Sequence, residues 1–268
     1  MSSPLRKPPP PGKLQLSIAL ILLIAIVPVQ RVYGTYSREL RPENHQFPLP
    51  DTLIATAFDV PDPQPPEDRE GSGSRTSCPA VDKPLTALIP SQVNYTLSGH
   101  PTFWFYVPYS SDLTREVEFV VLDEQETQVY QTVVRITDTP GIVSFRLPES
   151  LPPLEIGKKY LWQFSYRCNP RIRAEDDYVQ AMVERVAPSR SLTSQLEVAT
   201  TPMQRVEVYA ANGLWHETLT TLAELRRDNP GNADIAAGWT ELLESIGLGH
   251  LAVEAIRRTP TLRERGLL

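Results

Sequence analysis

The run 101–109, PTFWFYVPY, restricts the fold of this chain more than any other stretch. Aromatic and β-branched residues favour a pleated surface, and prolines are excluded from strand interiors, so the two terminal prolines bound a strand. Alternation puts Phe103, Phe105 and Val107 on one face and Trp104 and Tyr106 on the other. A strand apolar on both faces belongs in the middle of a sheet, and the segments on either side read as its neighbours.

Those neighbours are short and punctuated by prolines, of which the chain has 27. Strands are expected at 85–89, 102–107, 116–123, 128–136, 142–147, 159–167 and 178–186. The polar connection 123–127 makes a hairpin of the third and fourth. In the sixth, Tyr160, Trp162, Phe164 and Tyr166 alternate onto one face. About seven short strands with regular turn signals predict an immunoglobulin-like β-sandwich over 84–187. No helix-period segment interrupts them, which argues against a parallel α/β sheet.

From Leu192 the period becomes helical, opening a C-terminal helical region over 192–268. One helix runs from about Pro202 to Ala211, with Asn212 and Gly213 as its stop. A second covers 215–227, where Trp215, Leu219, Leu222 and Leu225 share a face. A third covers 233–246. Glycine, aromatic, acidic and proline positions from Gly213 to Pro230 follow the spacing of a single tetratricopeptide repeat, with Thr218 where alanine is usual. One repeat cannot bury its own face. The hairpin therefore either packs on the β domain or offers a partner-binding groove that would use Trp215 and Trp239. The arginines after residue 256 read as a solvated face.

The other end of the chain carries an address. Arg6, Lys7 and Lys13 precede an uncharged apolar run at 14–29, as in a secretory signal, and Val32-Tyr33-Gly34 offers an imperfect cleavage site. The run is about 16 residues, shorter than the ~20 of a comfortable span. Residues 1–34 are thus a signal peptide or a retained membrane anchor, and both place the remainder outside the cytoplasm. Residues 35–83 are proline-rich and read as a disordered linker. The net charge of −6 would become −10 on loss of Arg6, Lys7, Lys13 and Arg31 with residues 1–34. Acidity of that kind argues against nucleic-acid binding. Export favours a disulfide between Cys78 and Cys168 over two free thiols.

Catalytic patterns are missing from the sequence. The four histidines are scattered, and no H-E-x-x-H, G-x-S-x-G or G-x-G-x-x-G occurs. The acidic run 175–177 lacks a calcium-loop pattern and reads as a solvated turn. The Gly/Ser run 71–75 lacks the phosphate-loop lysine and its flanks. Asn94-Tyr95-Thr96 is a glycosylation sequon. No cofactor and no metal site is expected. The aromatic rows, Trp104 with Tyr106 above all, leave one alternative open: an exposed platform for sugar rings rather than sandwich core.

Several segments taken together resemble a family of exported cyanobacterial proteins known as domain of unknown function number 928. They are GSGSRTSCP (71–79), LTALIP (85–90), PTFWFYVPY (101–109), PGIVSFRLP (140–148), LEIGKKYLWQFSYRCNP (154–170), YVQAMVERV (178–186), YAANGLWHETLTTLAELRRDNP (209–230) and WTELLESIGL (239–248). The resemblance implies a cyanobacterial source and the periplasm or cell surface, where the sequon would go unused. It transfers no catalytic residue. The expectation is therefore a non-enzymatic envelope protein, α+β overall, that binds another envelope protein and touches the membrane only through its N-terminal segment. The alternative is a carbohydrate-binding module for polysaccharide.

Overall fold

The computed structural model describes residues 67–71, 78–110, 116–169 and 171–257, all within one compact unit. The leader, the apolar run 14–29, the linker up to residue 66 and Arg258, Arg263 and Arg265 lie outside the described residues. Among the described residues, no helix is long and apolar enough to cross a membrane.

Among the described residues, eight strands form two sheets. β1 (Thr86–Ala87), β3 (Thr102–Val107) and β6 (Gly141–Arg146) make a three-stranded antiparallel sheet in the order β1-β3-β6. The anchor strand β3 is central, as its two apolar faces require. β2 (Val93–Thr96), β8 (Asp177–Arg185), β7 (Lys159–Tyr166), β4 (Glu116–Leu122) and β5 (Gln128–Arg135) make a five-stranded sheet in that spatial order. Its pairs are antiparallel except β2 with β8, which is parallel. β4 and β5 are the expected hairpin, with a register shift between Val121 and Leu122. β2 was not among the expected strands. It has four residues, polar Asn94 and Thr96 among them, too few to display an alternation.

The inner faces meet through aromatic rings, giving a sandwich-like core. Phe105 on β3 stacks on Phe164 of β7 with centroids 4.2 Å apart. Phe103 packs against Phe119 and Trp162 at 5.0 and 5.6 Å. Tyr160, Trp162, Phe164 and Tyr166 are all buried, as one inward face.

Four α-helices follow among the described residues: α1 (Arg190–Val198), α2 (Pro202–Ala211), α3 (Trp215–Asp228) and α4 (Ala233–Glu244). α2 starts from a capping box of Thr201 and Gln204 with Pro202 in its first turn. Gly213 supplies the left-handed turn between α2 and α3 at φ +68°. α1 starts on the Ser189 cap, two residues ahead of the expected change of period. The helical region does not keep a core of its own. Leu219, Leu222, Trp239, Leu242 and Leu243 are continuous with the aromatic core of the sandwich.

Two further segments complete the body. Residues 67–71, assigned by composition to the linker, are packed: Arg69 is buried and donates to the Ile246 carbonyl at 2.8 Å, and Gly71 N donates to Leu85 O at 2.7 Å. Proline content marks a linker only where no partner is available, and here the body supplies one. Cys78 and Cys168 form a disulfide with Cα atoms 4.9 Å apart, closing a separation of 90 residues.

Candidate functional site

Three consecutive side chains at the start of α3 join the helices to the sandwich. Successive helical residues point about 100° apart, so one turn can reach three places. Trp215 Nε1 donates to the Leu88 carbonyl at 2.8 Å. His216 Nδ1 donates to the Thr102 carbonyl at 3.0 Å, and its ring meets Phe103 edge-on at 5.1 Å. Glu217 Oε1 accepts from Thr96 Oγ1, Leu97 N and Ser98 N at 2.7, 2.8 and 3.1 Å. Trp104 Nε1 donates to Thr220 Oγ1 at 3.0 Å, a fourth tie. Burial lowers the His216 pKa to about 4, and the Thr102 bond only partly opposes it. Burial also raises the pKa of Glu217, against the pull of its three donors. The void lined by Phe103, Trp162, Trp215 and His216 is about 10 Å³, room for no more than a single water. This joint holds elements together, and it is too small to admit a substrate.

The residues singled out from sequence sit in this packing. Trp215 and Trp239 are 6 % and 0 % exposed, so neither can face a partner groove as expected. Trp104 and Tyr106 are 3 % and 5 % exposed. The outer face of β3 is covered, and the sugar platform expected as the alternative is absent from the surface at these two rings. Each of these tryptophans is a large apolar body with a layer packed against it, and burying it outweighs displaying it. Asn94 of the sequon is 2 % exposed and donates from Nδ2 to the Ser91 carbonyl at 2.8 Å, which is structural use.

Other buried charges are likewise engaged. Asp177 accepts from the Tyr109 hydroxyl at 2.6 Å, and burial raises its pKa. Glu118 lies on the outer face of the five-stranded sheet and accepts from Gln131 and Arg167 at 2.7 and 3.0 Å and from Arg173. Desolvation acts upward on its pKa, but Arg173, Gln131 and Arg167 prevail and lower it. Among the described residues no group of three or more His, Cys, Asp and Glu gathers as for a metal.

The sheet edges offer a further recognition chemistry, that of the backbone. Three of the four edges are covered or short. β6 is bordered by the segment after α4, where Ile142 N donates to Ala255 O and Arg257 N to Ile142 O, both at 2.8 Å. β1 has two residues and is bridged by Glu70. β2 has four residues and lies against α3. β5 has eight residues, and its one strand partner among the described residues is β4.

The polarity of that edge follows from the pairing. Arg167 N donates to Glu116 O at 3.0 Å, so Glu116, Glu118 and Val120 turn their backbone groups toward β7. Val117, Phe119 and Val121 turn theirs toward β5, opposite Val134, Thr132 and Tyr130. The alternate residues Gln131, Val133 and Arg135 therefore aim N–H and C=O groups away from the sheet. Arg135 is the one ionic side chain in β5 and the strand contains no proline, so from Tyr130 to Arg135, past the register shift at Gln128 and Val129, little protects the edge. The strand was legible in the sequence, but its place at the end of the sheet was not.

A family model described as Domain of Unknown Function (DUF928) matches residues 70–256, from the packed segment before β1 to the segment bordering β6. No curated protein matches the chain.

Proposed function

The chain belongs to the DUF928 family, and from that premise we propose that it is an exported, non-enzymatic protein-binding or scaffold protein of a cyanobacterial cell envelope. The observation that carries this reading is the β5 edge, eight residues of strand whose alternate backbone groups point outward from a rigid sandwich. An exposed edge of this kind binds extended protein segments by adding a strand. The basic-then-apolar leader and the disulfide support export. The sandwich is read as immunoglobulin-like, and α2 with α3, the helices on either side of Gly213 and ahead of Pro230, as a single tetratricopeptide-like hairpin. The alternative, a carbohydrate-binding module, would need rings other than Trp104 and Tyr106, which are core.

The test is crosslinked affinity capture from the envelope fraction with the tagged full chain. The expected result is a protein that rebinds in purified form and is lost from a Val133→Pro variant. Val133 N–H points away from β4, so proline there removes an edge donor and spares the β4 ladder. Recovery of polysaccharide without protein, or of no macromolecule, would overturn the reading.

A further inference from the structure

Resting on the reading of β5 as the recognition edge, we propose that its occupant is a second copy of this chain: β5 pairs antiparallel with β5 about a two-fold axis through Thr132. Opposed residues in an antiparallel pair share backbone orientation and face, so a self-pairing strand must be centred on a residue. Centring on Thr132 places Tyr130 opposite Val134 twice and Thr132 opposite Thr132. These are aromatic with β-branched and threonine with threonine, both favourable cross-strand combinations. They fall at the non-hydrogen-bonded positions, where side chains approach most closely. The outward backbone groups of Gln131 and Val133 then face each other in two exchanged pairs, about four bonds in all.

Charge agrees with this register. The two Arg135 side chains fall at opposite ends of the ladder, roughly 20 Å apart at about 3.3 Å per residue, beyond the Debye length in physiological salt. Centring on Gln131 instead would set glutamine against glutamine and lose both Tyr130–Val134 contacts. The half-buried Tyr130 and Val134 pack against the core rim, so pairing would cover apolar surface that the three-stranded sheet leaves partly open. The interface is isologous, and joining two five-stranded sheets through it gives one continuous sheet across the dimer.

The experiment uses the full chain carrying Thr132→Cys, oxidised with diamide and run without reductant. The expected result is a thiol-reversible species of twice the chain mass. Gln128→Cys, in the same strand but beyond its register shift and far from the axis, is expected to remain monomeric, as is Thr132→Cys combined with Val133→Pro. A monomeric Thr132→Cys chain, or equal crosslinking of Gln128→Cys, overturns the pairing. In envelope preparations, a crosslink from the Thr132→Cys chain to a different protein also overturns it, while leaving the protein-binding reading intact. Failure of the affinity capture would remove that reading instead.

Discussion

Trp215 Nε1 reaches the Leu88 carbonyl at 2.8 Å, so the first residue of α3 is hydrogen-bonded to the segment that follows β1. Trp239 on α4 is as deeply buried, yet its Nε1 has no acceptor among the described residues. Replacing each by phenylalanine removes similar apolar bulk. Only Trp215→Phe also leaves a buried carbonyl without its donor. Trp215→Phe is therefore expected to cost about 1–2 kcal/mol more than Trp239→Phe. Urea midpoints of the two variants check this, and equal losses would contradict it.

Because helices and sandwich share one core, unfolding should be a single event. Tryptophan fluorescence and far-ultraviolet dichroism are expected to give coincident urea transitions, since neither layer keeps an independent apolar core. An early helical transition would show that the joint at α3 is weaker than its bonds suggest.

His216 sets an acid limit. Its pKa falls from 6.5 to about 4 in the folded chain, because burial disfavours the imidazolium. Between those values the unfolded chain binds more protons than the folded one. The contribution is complete above pH 6.5 and is lost as pH falls toward 4, by about 3 kcal/mol at 1.36 kcal/mol per unit. His216→Asn keeps a donor near the Nδ1 position and cannot titrate, so its stability curve is expected to be flatter across that window. Glu217 and Asp177, whose pKa values are raised, act in the opposite sense, losing stability as pH rises above the ordinary carboxylate range. Urea midpoints at intervals from pH 4 to 7 for wild type and His216→Asn measure the difference.

Tyr109 is the donor that makes burial of Asp177 tolerable. Tyr109→Phe removes that bond from a buried carboxyl and should destabilise the chain by about 1–3 kcal/mol. Asp177→Asn retains an acceptor for the hydroxyl and carries no charge, so it is expected to be close to neutral. The thermal midpoints of both variants at pH 8 test this, and a larger loss for Asp177→Asn would show that the charge itself is required.

The disulfide ties the segment before β1 to the end of β7 across 90 residues. Changing Cys78 and Cys168 together to serine is expected to cost about 2–4 kcal/mol. A midpoint unchanged in reductant would show that the packing of Arg69 and Gly71 suffices to hold that segment.

What the sequence determined by itself is local. Pro101 and the aromatic run after it gave β3, the spacing around residues 123–127 gave the β4–β5 hairpin, and Thr201, Pro202 and Gly213 marked α2. These signals are contained in a few adjacent residues, because turn chemistry, capping and side-chain period act over short range. Ordered pieces spread over most of the chain also made the family resemblance visible. Tertiary structure decided which of these surfaces faces water. Trp104, Tyr106, Trp215 and Trp239 look equally able to bind a ligand or fill a core until the opposing layer is known, and here each has one. β2 was hidden because a four-residue strand owes its existence to β8 rather than to its own pattern. β5 was visible as a strand, but its open edge depends on sheet order, which comes from contacts between residues far apart in the chain and leaves no mark in the composition of the strand.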